Sequence, residues 1–240
     1  TERNMSGKSS APNKEISRVF KYLCNYSKKR KFIHLVRKKK TRQKKLESYL
    51  RRSDSQPLDA TGKPLSMADI DDELNSIQRQ ITEHEEKIDA INRDGVQKIS
   101  SSDLMLALKD LGSVHSKQEV EDMIWEVDEG LDGMVDWNEF MLMYDRNVND
   151  KTGLEPCQLY DAVQFMMYDT DMSGTVSVDE TMTMLYQRYG KKKLETELQR
   201  LFGNSLKATD GIGELSFQQY LKAVKVKPSV LEDPKLKKRK

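Results

Sequence analysis

Apolar residues recur along this chain at helical spacing, and the breaks in that recurrence divide it into segments. Ile16, Val19, Phe20 and Leu23 form one stripe, Phe32, Ile33 and Val36 a second, and Leu46, Tyr49 and Leu50 a third. Steps of three and four residues hold each set on one face of a helix. No glycine or proline interrupts Glu15 to Arg52, so this stretch is predicted to be largely helical, while residues 1–13 are expected to lack structure of their own. "SDSQPLDATGKP", Ser53 to Pro64, has turn chemistry and reads as a linker over 53–65. "SMAD" then opens a helix over 66–92, with Ser66 able to cap it and Asp69 suited to its first turn. Ile70, Leu74, Ile77, Ile81, His84, Ile88 and Ile91 follow in alternating steps of four and three. That is a heptad seam of about three repeats. It suits packing against a partner helix and equally an amphipathic helix leading into a lobe. His84, at a seam position, is expected to be packed or hydrogen-bonded.

Beyond Ile91 the chain repeats with a period near forty residues, each unit a helix, a polar loop and another helix. In "DTDMSGTVSVDE", Asp169 to Glu180, oxygen-bearing residues stand at the first, third, fifth, seventh, ninth and twelfth places, with Gly174 at the sixth. A hard calcium ion takes six to eight oxygens, and the chain around it must turn sharply midway. Asp169, Asp171 and Ser173 would ligate through side chains, Thr175 through its carbonyl, Ser177 directly or through water, and Glu180 with both carboxylate oxygens. This is the spacing of an EF-hand loop. Asp128 to Glu139 repeats it: Asp128, Asp132, Asp136 and Glu139 by side chain, Met134 by carbonyl, and Gly133 at the sixth place. Gly130 takes the third place, so one carboxylate is missing and weaker binding is expected.

EF-hands pack in pairs, joined by a short bridge between the eighth residues of the two loops. Both loops have a degenerate candidate partner. Asn92 to Asp103 places Ile99 at the eighth position but lacks glycine at the sixth and glutamate at the twelfth. Ala208 to Gln219 keeps Gly213 and Leu215, but has Ala208 and Gln219 where the end ligands belong. Both are expected to be structural hands without calcium. At this point the chain resembles the calmodulin and troponin C superfamily, most closely in "LKDLGSVHSKQEVEDMIWEVDEGLDGMVDWNEF". The resemblance covers roughly 80–226 and implies two paired lobes, 80–146 and 155–226, joined through 147–154. The expected fold class is therefore all-α: two paired EF-hand lobes preceded by a long basic helical arm, 1–52, and the heptad helix. The chain departs from calmodulin in having one intact site, a long basic extension, and Thr181 where an apolar residue usually follows the last ligand.

Charge adds the second theme. The formal net charge of +2 conceals +15 over residues 1–52, −19 over 53–221 and +6 over 222–240, counted from the sequence. An acidic body lies between basic arms, the second including the tail 227–240. Candidate targets for the arm are nucleic acid, an anionic membrane surface, a calmodulin-type lobe including the chain's own acidic body, and an acidic protein polymer such as a microtubule. No nucleic-acid module is recognisable. Hydrophobic residues make up 36% and mean hydropathy is −0.77. No apolar run approaches a membrane span and no secretory segment appears, so a soluble, cytoplasmic protein is expected. Cys24 and Cys157 match no metal or redox spacing, and His34, His84 and His115 no catalytic one. A non-enzymatic role is expected. Eleven of the 12 methionines lie between Met67 and Met184, which suits either a core or a groove that takes a partner helix. Calcium could act as a signal or as a permanent staple. The leading expectation is a calcium-binding subunit of a cytoskeletal assembly, tubulin-based or axonemal, in a cilium or flagellum. The alternative is a calmodulin-like sensor whose arm is autoinhibitory or membrane-seeking.

Overall fold

The computed structural model describes residues 10–52, 58, 62, 64–150, 152–189, 191–203 and 213–225. The expectations for most of 1–13, most of the 53–65 linker, residues 208–212 of the fourth loop and the tail 227–240 lie outside the described residues. The fold is all-α apart from short strands. In chain order come α1 (Ser10–Leu23), α2 (Tyr26–Arg52), α3 (Met67–Asp94), β1 (Ile99–Ser100), α4 (Ser101–Asp110), α5 (Lys117–Trp125), β2 (Met134–Val135) and α6 (Trp137–Asn149). Then follow α7 (Gln158–Tyr168), β3 (Thr175–Ser177), α8 (Val178–Tyr189), α9 (Lys191–Phe202), β4 (Glu214–Ser216) and α10 (Phe217–Lys225). Among the described residues no helix is long and apolar enough to cross a membrane.

The chain forms two compact units: Thr1–Val19 with Leu108–His115 and Arg146–Lys240, and Phe20–Ala107 with Ser116–Asp145. In the second of these, the heptad seam finds its cover within the chain. Ile70, Ile77 and Ile81 are buried with Val36 and Leu46 of α2, and Leu74, Ile88 and Tyr49 pack at the edges. Burying each isoleucine contributes about 1.5–3 kcal/mol, enough to hold α2 against α3 without an external helix. Arg42 is bidentate to Glu73 at 2.7 and 2.9 Å, and Lys40 reaches Glu85 at 3.0 Å, so the two helices run antiparallel. The hydrogen-bonded Arg42 guanidinium holds the Glu73 carboxyl below its usual range. Both partners remain about a third exposed, and such a pair is worth about 1 kcal/mol at most. The capping box forms as expected: Asp69 N–H donates to Ser66 Oγ at 3.2 Å, and Ser66 N–H to Asp69 Oδ2 at 2.9 Å. His84 is half-buried with its ring 6.0 Å from Phe32, and its buried Nδ1 has no hydrogen-bond partner. Of the two expectations for this histidine, packing is the one realised.

The stretch Glu15–Arg52 is largely helical, with one break at Cys24–Asn25, and helix already begins at Ser10 within the stretch expected to lack structure. Asn25 adopts φ 54°, a left-handed conformation that asparagine tolerates better than most residues. Neither glycine nor proline marks the turn.

Both loop pairs carry the expected bridges. Ile99 pairs with Val135 between β1 and β2, and Val176 with Leu215 between β3 and β4, both antiparallel. Around the second bridge Phe165 packs 5.1 Å from Phe217 and 5.5 Å from Tyr220. In the other unit Phe20 of α1 sits 5.2 Å from both Trp137 and Phe140.

Candidate metal centre

Asp169 lies one residue past the end of α7, and Glu180 falls in the first turn of α8. The loop between them must reverse direction, which Met172 at φ 58° and Gly174 at φ 88° accomplish. Only glycine reaches the second of these without steric cost. The reversal converges the ends of the motif: carboxylate oxygens of Asp169, Asp171 and Glu180 lie within 4.8 Å of one another. Asp169 is held by N–H donors from Ser173 at 2.7 Å and Gly174 at 2.9 Å. Glu180 accepts from the Thr170 and Asp171 N–H groups through Oε1 and from Ser177 N–H at 3.0 Å through Oε2. Ser173 Oγ lies 2.9 Å from the Thr175 carbonyl, so the fifth and seventh positions are neighbours. All these donors are oxygens, three of them anionic and none sulfur or imidazole, which fits calcium and disfavours softer metals.

The loop from Asp128 to Glu139 reproduces that backbone. Leu131, at the fourth place like Met172, has φ 55°. Asp128 accepts from Asp132 and Gly133 N–H groups at 3.2 and 2.7 Å, and Glu139 from Gly130 and Asp136 N–H groups at 2.9 and 2.8 Å. Among the described residues, however, no second trio of carboxylates converges as closely as the first. Asp132 is ion-paired with Lys98 of the neighbouring loop, whose hydrogen bond lowers the Asp132 pKa. An ion entering here has to displace an ammonium as well as manage without a carboxylate at Gly130. Lys98→Gln is therefore expected to strengthen calcium binding at this loop severalfold, measured by calorimetry in the Glu180→Gln background; unchanged affinity would remove Lys98 from the account. Trp137 lies inside the loop against Phe20 and Phe140, whereas Trp125 is 71% exposed. Calcium entering the loop should thus change Trp137 emission, read cleanly in Trp125→Phe.

The described part of the fourth loop shows how a hand closes without charge. Gln219 Oε1 accepts from Ser216 N–H and Oγ at 2.8 and 3.0 Å, the arrangement that Ser177 and Glu180 have in the intact loop. Thr181, the unusual polar residue after the last ligand, is fully buried and donates its hydroxyl to the Ser177 carbonyl at 3.0 Å, so its polarity is satisfied inside the helix. Of the methionines beside the loops, Met143, Met166 and Met167 are buried in the core, Met141 and Met184 are half-buried and Met182 is exposed. Two contacts had no local sequence signal. One is Lys98 on Asp132. The other is Arg18 of α1, which donates to the Met166 carbonyl at 2.7 Å and the Met167 carbonyl at 3.4 Å. These carbonyls lie in the last turn of α7, where helix carbonyls lack intrahelical partners.

Residues 96–147 match the family model described as an EF-hand domain pair. Over 130 residues the chain is 31% identical to the "Probable calcium-binding protein CML25" of Arabidopsis thaliana, a match spanning 54% of this chain and 65% of that protein. Over 153 residues it is 26% identical to "Caltractin" of Naegleria gruberi, spanning 64% of this chain and 83% of that one. Residues 96–147 are thus an EF-hand domain pair, and the two similar proteins, the antiparallel loop bridges and the oxygen-lined loop support the EF-hand calcium-binding superfamily for the chain. Calcium is the ion its chemistry takes.

Proposed function

We propose that this chain is a calcium-binding, non-enzymatic subunit of a cytoskeletal assembly, anchored through α2 to an acidic filament surface such as a microtubule of a ciliary or flagellar axoneme. Asp169, Asp171, Ser173, Thr175, Ser177 and Glu180 hold the principal calcium ion, and Asp128, Asp132, Met134, Asp136 and Glu139 a weaker one. The observation that carries the anchoring role is the outer face of α2. Lys28, Lys31, Lys38 and Lys45 are exposed, while Val36 and Leu46 face α3 and Arg42 and Lys40 are engaged by its acids. At 1.5 Å per residue this exposed series extends about 26 Å along the helix. Its regular spacing suits an extended acidic surface better than a compact pocket. A membrane surface fits less well, because the apolar stripe an interfacial helix would insert is already buried. Protein partners, including a helix taken into a lobe groove, complete the assembly, and the location is cytoplasmic, on the cytoskeleton.

Removing the arm would strip the α3 seam, so the test keeps the full chain. Lys38→Glu with Lys45→Glu is expected to abolish co-sedimentation with microtubules at physiological salt, and wild type to pellet, each assayed with calcium and with chelator. If wild type stays in the supernatant under both conditions, the anchor reading fails and a free calmodulin-like sensor with an autoinhibitory arm becomes the better account.

A further inference from the structure

The degenerate loop Asn92–Asp103 is built around a cluster of contacts from the other end of the unit, and these contacts are independent of the cytoskeletal reading. We propose that this loop is an ammonium site, and that its ligand is the side chain of Lys29, which serves where the intact hand takes a divalent ion. Lys29 has 0% exposure. A lysine is almost never so deeply buried unless its charge is met. Its Nζ donates to Asn92 Oδ1 at 2.6 Å and to the Lys21 carbonyl. Asn92 is the first position of the loop, the place that Asp169 fills in the intact hand.

The twelfth position is engaged from the same turn. Asp103, itself buried, accepts from Ser27 N–H at 2.8 Å and from Ser100 Oγ at 2.7 Å. Between the ends, Asn25 donates its amide to the Val96 carbonyl at 2.7 Å. A Cβ at Gly95 would collide with the Asn25 side chain, so the glycine is what lets this turn seat in the loop. Asn25 to Lys29 thus grips the first, fourth, fifth and twelfth positions of a loop whose fifth place is valine and whose sixth is glutamine.

Charge explains the choice of ligand. The intact loop presents three carboxylates to a doubly charged ion. This loop has a neutral amide at its first place, the exposed Asp94 at its third and the buried Asp103 at its twelfth, so one buried carboxylate is matched by a single positive charge, and an ammonium brings its own N–H donors to the amide oxygen. Burial pushes the Lys29 ammonium down to about 8, while Cys24, Asp103 and Asp89 act in the opposite direction. Because Ile99 in this loop bridges to Val135 in the next, the half of the pair facing the second loop is formed without calcium. The same contacts fasten the start of α2 to the hand.

The test is a double-mutant cycle on the full chain at saturating calcium, with Lys29→Met, Asn92→Leu and the pair, followed by urea unfolding through tryptophan emission. Each single variant is expected to lower the folding constant roughly tenfold or more, and the pair by clearly less than the product of the two. Independent, multiplying effects would overturn the proposal. In Lys29→Ala, propylammonium is expected to raise the melting temperature at concentrations where it leaves wild type unchanged; an extra equivalent of bound calcium instead would mean the loop is a blocked divalent site. Should the variants fail to fold, the wild type still decides through the 15N resonance of Lys29 Nζ, assigned through the carbon resonances of its own side chain. A slowly exchanging ammonium supports the site, and one exchanging like the surface lysines overturns it.

Discussion

Replacing Glu180 with glutamine is expected to lower calcium affinity at the Asp169–Glu180 loop by on the order of 100-fold or more, because affinity in these loops follows ligand charge and a bidentate carboxylate closes the shell. The substitution removes one negative charge and one ligating oxygen from a site where three carboxylates lie within 4.8 Å. The fold should survive it. Gln219 already closes the fourth loop with an amide oxygen that accepts from Ser216 N–H at 2.8 Å, and Glu180→Gln can keep the equivalent bond to Ser177. The bonds from the exposed Thr170 pass to water. Calorimetry should then lose its tighter binding event while circular dichroism without calcium stays as in wild type. Retention of the tight event would mean that the ion is held elsewhere. Retention of regulated partner binding in the variant would assign calcium a structural role at most.

The second large effect concerns Ile77, 3% exposed in the seam between α2 and α3. Ile77→Ala deletes buried methylene and methyl groups and leaves a cavity between two helices that have little freedom to close it, so about 2–5 kcal/mol is expected to be lost. Urea unfolding read through Trp125 and Trp137, which belong to the same unit, should shift to a clearly lower midpoint. This outcome discriminates between the two readings the heptad permits. Were the seam reserved for an external helix, Ile77 would face solvent in the isolated chain and truncation would leave the midpoint near wild type.

The convergence of Asp169, Asp171 and Glu180 was legible in the sequence because every requirement of that loop is local. Twelve residues contain the carboxylates, the turn at Gly174 and the closing Glu180, and the eighth-position residues Ile99, Val176 and Leu215 already marked the bridges that form. The seam was legible as a stripe, since periodicity states which residues share a face. What covers that face is another matter. The same spacing serves a foreign helix and α2 alike, and the choice depends on whether the linker lets the chain turn back.

Other features left no trace. Lys98 stands in a loop that reads as degenerate, and its effect on Asp132 crosses 34 residues. Asn25 breaks a helix in a stretch without glycine or proline because its amide finds the Val96 carbonyl, 71 residues away. Within the basic run Lys29 is indistinguishable from Lys28, yet one is buried and the other exposed.

By itself, the sequence determined the class of fold, the ion and the loop that suits it, because ligand spacing and helix periodicity are properties of neighbours along the chain. Tertiary structure decided how the charges are used: which lysines line an outer face, which are neutralised by α3, and which one enters a hand. Those outcomes depend on Coulomb and desolvation energies that vary with through-space distance and burial, and neither is written in the order of the residues.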